Sequence, residues 1–399
     1  MKGSVKISRA FLTAGLLVMT ALNPGYAENI RVGVILPLTG RLAELGGETA
    51  HRSYQMAASD INEAGGIHGE KLEILFEDTG GDPEVGLRAV EKLISKDRVT
   101  LLSGGISSSV TWSATTAAQD HEIPFLVGTA SADRITEAGR NYVFRLNTPV
   151  SEQHNAFDSF LNKVSSVKTV AILHESTIFG ELSAKKFRQR CETLNLQVIV
   201  NEAFDAEKGD LTSLLTMTKV KYPDLIYIIA GIQAGALIMQ QSRALGLNPK
   251  LFVGNPSAFA LDEFRELAGE DSEFIYSPTI WTQSLPYPGA KEFSIRFFHK
   301  YDSPPDYHGA QAYASMQVIA GALKEAKTLE TADVRDTLSK TDMMTVFGPV
   351  KFVSYGRKTQ QNRLPTYLVQ WLKDGLKTVW PKNVATDSYV YPTPHWDDR

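Results

Sequence analysis

The sequence predicts an α/β protein made of two doubly wound parallel-sheet lobes. Three observations carry that expectation. Short apolar runs alternate with segments of helical spacing, and that rhythm builds βαβ units around a parallel sheet. The runs are nearly all apolar rather than alternating with polar residues, as strands covered on both faces are. The rhythm also starts afresh near residue 169, so the chain holds two such units.

Taken in order, Ile30–Leu36 reads as a buried strand and Thr49–Ala64 as a helix stopped by Gly65 and Gly66. Lys71–Phe76 is a second strand, and Pro83 opens a helix through Lys96. Val99–Ser103 is a strand, Ser109–Asp120 a helix and Pro124–Val127 a strand. The second unit runs through strand Thr169–Leu173, helix Gly180–Leu194, strand Gln197–Val200 and helix Leu211–Val220. Strand Leu225–Ala230, helix Ala234–Leu245 and strand Leu251–Val253 complete it. Tyr276–Pro288, rich in Pro, Tyr and Ser, reads as a crossing or loop. Helices over Ala290–Tyr301 and Ala310–Ala326 and strands Val350–Val353 and Thr366–Trp371 follow. Ligands of open α/β sheets sit beyond the carboxyl ends of the strands, so two such lobes imply a cleft.

The N-terminus carries Lys2, Lys6 and Arg9, then the apolar stretch Ala10 to Leu22, then small residues at Gly25 and Ala27. That pattern predicts a signal peptide over 1–27 cleaved after Ala27. As a membrane anchor the stretch is short, since about 20 apolar residues are needed to span. A periplasmic location follows, without a lipid anchor, because no cysteine follows the apolar stretch. Cleavage would remove three basic and no acidic residues, taking the formal charge from −4 to −7, which disfavours nucleic acid or an anionic membrane as partner. The single cysteine, Cys191, forbids an internal disulfide and a cysteine-based metal site; it is expected to pack as an apolar residue. The eight histidines lack ligand spacing, and no metal or cofactor is implied. No nucleophile elbow, zinc-protease helix, P-loop or dinucleotide fingerprint occurs, so a binder rather than an enzyme is expected.

The chain also resembles a known family, the type I periplasmic binding proteins, and within it the leucine/isoleucine/valine-binding group. The resemblance rests on Gly33 to Gly40 (GVILPLTG), Asp60 to Gly69 (DINEAGGIHG), Glu77-Asp78 with Asp82-Pro83, Gly104 to Ser109 (GGISSS) and Gly348-Pro349-Val350. It implies three crossings between lobes, with a first lobe of 28–147 and 280–352 and a second of 148–279 and 353–399. It implies a monomer that captures a small carboxylate-bearing ligand, a branched-chain or other amino acid or an aromatic or organic acid, for inner-membrane ABC permease subunits. A ligand-sensing subunit and an amide or urea-type binder are the alternatives.

The resemblance maps the ligand carboxylate to Ser107 and Ser108 and to Ala130 and Ser131, with Leu45 in the first lobe and Phe179 covering the ligand from the second. Chemistry agrees for the serines: they open a helix, where free N–H groups and the positive end of the dipole favour an anion, although helix capping alone is the other reading. Phe179 is either a lid or loop packing, and Trp112 either a pocket wall or core. The group's ammonium-binding tyrosine falls near Gly231 or Ile232 and its glutamate on Pro256. Neither can neutralise an ammonium group, which favours a ligand without one unless Asp262 or Asp306 approaches. Gln233 and Asn255 stand where uncharged polar contacts are possible. The group's frequent disulfide is absent, its positions being Gly81 and Ile106.

Overall fold

The computed structural model describes residue 1 and residues 29–256 and 258–399. The expected signal peptide, apart from Met1, lies outside the described residues. Two sheets organise the rest. The first is built from β1 (Ile30–Leu36), β2 (Leu72–Asp78), β3 (Leu101–Gly104), β4 (Phe125–Val127) and β5 (Val143–Arg145). The second uses β6 (Thr169–Glu175), β7 (Gln197–Phe204), β8 (Leu225–Ile229), β9 (Leu251–Gly254) and β10 (Tyr276–Thr279). The chain then returns to the first sheet with β11 (Asp342–Thr345), β12 (Gly348–Tyr355) and β13 (Lys358–Asn362), and ends in the second with β14 (Tyr367–Leu372) and β15 (Gly375–Trp380). The orders are β11-β12-β13-β5-β4-β3-β1-β2 and β15-β14-β10-β9-β8-β6-β7. The first sheet is parallel from β13 through β2, with β11 and β12 antiparallel at its edge, and the second is parallel from β10 through β7, with β14 and β15 antiparallel at its edge.

Each sheet is covered on both faces, which explains why its central strands read as unbroken apolar runs. In β1, Val32, Val34 and Leu36 point into one core beneath helices α1 (Glu48–Glu63), α10 (Ala290–Tyr301) and α11 (Tyr307–Glu325), while Ile35 packs into the other beneath α2 (Pro83–Ser95) and α3 (Ser108–Asp120). The second sheet lies between α5 (Asn155–Val164) and α6 (Ile178–Thr193) on one face and α7 (Thr212–Val220), α8 (Ile232–Ala244) and α9 (Asp262–Ala268) on the other. Short α4 (Arg134–Glu137) and α12 (Thr331–Leu338) complete the helices used below. Cys191 is fully buried in the second lobe, among Phe187, Tyr227 and Leu225, as a packed apolar residue. No described helix is long and apolar enough to cross a membrane.

The chain passes between the sheets after β5, after β10 and after β13. The expected boundary after residue 352 falls inside β12, and β13 still pairs with β12 and β5; the third passage is residues 363–366. That short link fixes how the lobes meet. β13 is parallel to β5, so it leaves the first sheet at the carboxyl edge. β14 is antiparallel to β10, so it enters the second sheet at the carboxyl edge. At about 3.3–3.6 Å per residue, the two carboxyl edges lie within roughly 18 Å of each other there. Tyr287 and Tyr367 join hydroxyls across this junction, and the Trp281 indole donates to the Val346 carbonyl at 2.9 Å.

Candidate cleft between the two sheet edges

At the first edge the chain turns out of β3 through Gly104 (φ +106°) and Gly105 (φ +82°). A Cβ on Gly104 would stand 2.2 Å from the Ile35 carbonyl oxygen, so only glycine fits. Ser107 then takes the N-cap position of α3 with extended φ −70° and ψ 124°. Its side chain makes no capping hydrogen bond; its hydroxyl instead meets Ser109 Oγ at 3.0 Å. The capping explanation for this serine is thereby set aside, and the first-turn N–H groups of α3 keep no side-chain acceptor among the described residues.

The loop after β4 is laced to this turn. Gly128 N–H donates to the Gly104 carbonyl at 2.9 Å, Ala130 N–H to the Gly105 carbonyl at 2.8 Å, and Ala132 N–H to Ser108 Oγ at 3.2 Å. Ser108 and Ala130 therefore spend their polar groups in joining the two loops, and Ala130 is 1% exposed. Ser107 and Ser131 are half-buried, and the Ser131 carbonyl accepts from Val150 N–H at 2.8 Å, on the first passage between lobes. Leu45 is exposed on an irregular helical turn, Ala43–Gly47, broken at Gly46 (φ +157°). A Cβ at Gly46 would meet the His308 ring at 2.6 Å, so glycine lets that turn lie against α11. Asp78 ties the neighbouring loop, accepting from Leu38 N–H, Gly80 N–H and Thr39 Oγ1 at 2.8, 2.8 and 2.6 Å. Against desolvation, which alone would raise it, the bonds from Thr39 and the Gly80 and Leu38 amides hold its carboxyl below the usual range.

At the second edge, Thr177 caps α6 by accepting from Gly180 N–H at 3.0 Å. Phe179 follows, 63% exposed and so not packed into its loop, with Leu182 one turn on at 55%. Gln233 is exposed in the first turn of α8. Asn255 differs from its expected availability: its Oδ1 accepts from Ala230 N–H at 2.9 Å and its Nδ2 donates to the Pro256 carbonyl at 3.2 Å, locking the ends of β8 and β9. Trp112 is not part of the buried core; half-buried, it lies under the Arg140 and Arg134 guanidinium groups at 4.0 and 4.8 Å. Asp306 caps α11 and pairs with His308 at 2.9 Å, within the first lobe. Burial raises the pKa of Asp262, helped by Glu263.

One acid at this edge was missed. Glu175 ends β6, half-buried, and its Oε1 accepts from Gly231 N–H at 2.7 Å, at one of the two positions near which the resemblance sets the tyrosine. The signal available was the carboxylate closing an apolar strand, in Ile172-Leu173-His174-Glu175. Among the described residues no group of three or more His, Cys, Asp or Glu could hold a metal ion.

Comparisons with known proteins agree with this architecture. The family model described as periplasmic binding protein matches residues 29–376. A leucine-, isoleucine-, valine-, threonine- and alanine-binding protein of Pseudomonas aeruginosa is 25% identical over 379 residues, 94% of this chain and 99% of the relative. Among solved structures, a branched-chain amino acid transporter substrate-binding protein of Streptococcus pneumoniae in complex with isoleucine superposes with a TM-score of 0.72 at 24% identity, covering 89% of this chain and all (100%) of the other. A solute-binding protein of an ABC transporter from R. palustris, in complex with benzoate, gives 0.69 at 18% identity, covering 91% and 98%.

Proposed function

The chain belongs to the periplasmic binding protein family, and from that premise we propose that it is the solute-binding component of an ABC transporter. It captures a small carboxylate-bearing molecule in the periplasm, between two lobes that close on it, and as a monomer hands it to inner-membrane permease subunits. The observation that carries the reading is the uncapped start of α3 at Ser107, laced to the Ser131 loop at the carboxyl edge of the first sheet. Free N–H groups at a helix start attract an anion, and each charge-assisted bond to a carboxylate contributes about 1.5–3 kcal/mol. The exposed Phe179 and Leu182 of the second lobe and Leu45 of the first supply apolar cover for the body of the ligand. Closure is a shift of an open–closed equilibrium by ligand that contacts both lobes only when closed.

Ligand chemistry divides on two residues. Pro256 in place of an ammonium-binding acid favours an organic or aromatic acid. Glu175 favours an amino acid instead, because it offers a carboxylate at the second edge whose Oε2 is not spent on Gly231. A thermal-shift screen of amino acids, aromatic acids, keto acids and amides tests both readings; ligand at 100 times its Kd raises stability by about 2.7 kcal/mol. Stabilisation by carboxylates supports the proposal. Stabilisation by amides alone, or by none of the four classes, refutes it.

A further inference from the structure

Arg145, the last residue of β5, is fully buried, yet it forms no ion pair within 4.0 Å among the described residues. Its guanidinium is held by neutral acceptors: Gln361 Oε1 at 2.6 Å, Thr136 Oγ1 at 3.0 Å, the Ala132 carbonyl at 2.6 Å and the Ala130 carbonyl at 3.5 Å. The acids nearby are engaged elsewhere. Asp133 pairs with Lys358 at 3.0 Å, Glu137 with Arg357 at 2.8 Å, and Glu152 accepts from Tyr355 Oη at 2.8 Å. Burial pulls the arginine down to about 10, against the opposing influence of Asp133, so it stays charged at neutral pH. A buried charge without a contacting counter-ion is costly, so its place in the fold calls for an explanation beyond packing.

Its contacts bracket Ser131. In a trans peptide the C=O and the following N–H point in opposite directions. By drawing the Ala130 carbonyl towards itself, Arg145 turns the N–H of Ser131 away from the interior; by holding the Ala132 carbonyl it does the same for Asp133 N–H. Ser131 N–H has no hydrogen-bond partner among the described residues. The cation behind the loop, with no acid in contact with it, also raises the potential in front of it.

We propose that Arg145 is the positioning residue of the anion site: it orients the Ser131 loop and supplies the positive potential that selects a carboxylate over its neutral isostere. This rests on the carboxylate reading above. Gln361, which accepts from Arg145, also donates to the Asn147 carbonyl at 2.8 Å, so the same contact set reaches the first passage between the lobes.

The test is the ratio of Kd values for matched acid and amide probes, benzoate against benzamide and L-leucine against L-leucinamide, in the wild-type chain and in Arg145→Gln. A purely structural role would weaken both members of a pair alike and leave the ratio unchanged. The expected result is a wild-type preference for the acid that shrinks about tenfold in Arg145→Gln, equal to about 1.4 kcal/mol, with the amide Kd little altered. Should Arg145→Gln fail to fold, Arg145→Lys serves, since it keeps the charge but loses the two-sided hold; the ratio then falls about threefold. A wild-type preference that survives in the variant overturns the role of Arg145 and leaves the carboxylate reading intact. No wild-type preference in either pair overturns both.

Discussion

Gly104→Ala puts the corner that presents the serine loop under direct strain. Gly104 has φ +106°, a conformation that side-chain-bearing residues adopt at a cost of about 1–3 kcal/mol. The added methyl would also stand 2.2 Å from the Ile35 carbonyl oxygen and 3.1 Å from its nitrogen. That oxygen cannot retreat freely, because it accepts from Gly105 N–H at 3.0 Å, and Gly104 itself accepts from Gly128 N–H at 2.9 Å. Overpacking of this kind costs about another 1–3 kcal/mol. Together they predict a loss of about 2–6 kcal/mol, a fall in Tm of roughly 5–20 °C for a lobe-sized unit. Gly209→Ala is the control: nothing lies within 4 Å of its Cβ and its φ is ordinary, so its effect should be within about 1 kcal/mol. Differential scanning calorimetry of both variants measures the contrast. Gly104→Ala within about 1 kcal/mol of wild type would refute the argument that this corner is fixed by steric necessity.

Four further outcomes follow from particular residues. Burial, helped by Arg190, pulls His154 down to about 3, beside Tyr227 Oη at 3.2 Å. Between pH 6.5 and 3 the unfolded chain then binds a proton that the native chain does not, so stability declines by about 1.4 kcal/mol per pH unit below 6.5; in urea titrations His154→Gln should flatten that decline, and an unchanged slope would count against it. Burial pushes the Cys191 thiol up to about 12, so a thiol reagent should label it only in denaturant, and rapid labelling of the native chain would be contrary evidence. Small-angle scattering should give a smaller radius of gyration with saturating ligand, and an identical profile would argue against closure. N-terminal sequencing of periplasmic material should begin at Glu28, whereas recovery of the intact Met1 form in membranes would exclude cleavage after Ala27.

The parallel core was legible because its strands are buried on both faces and so carry the simplest pattern. Ile30–Leu36 and Pro83 onward appear within a residue or two of where the apolar runs and the proline set them. α5 was missed although Phe157, Phe160 and Leu161 have helical spacing, because it follows a loop rather than a strand-ending glycine. β13 was invisible for a different reason. Lys358–Asn362 (KTQQN) is polar throughout, and as a strand its Gln361 and Asn362 satisfy buried carbonyls and Arg145 at the end of neighbouring β5, where the chain leaves the first sheet. The site divides the same way. Local sequence sufficed to set Ser107 at a helix start, because a glycine corner precedes it. Asn255 could be recognised as polar, but that its amide is consumed by Ala230 and Pro256 depends on the ends of two strands meeting. Glu175 and Arg145 owe their interest to what the fold sets beside them, which spacing does not encode.

Capture of a carboxylate between the lobes is tested most directly by a crystal structure grown with the tightest-binding carboxylate from the screen. The expected result is closed lobes and a carboxylate whose oxygens lie about 2.7–3.2 Å from N–H or hydroxyl donors of Ser107 and Ser131, with Phe179 over the body of the ligand. A ligand bound outside the two carboxyl edges, or one whose carboxylate points away from both serine loops, would contradict it.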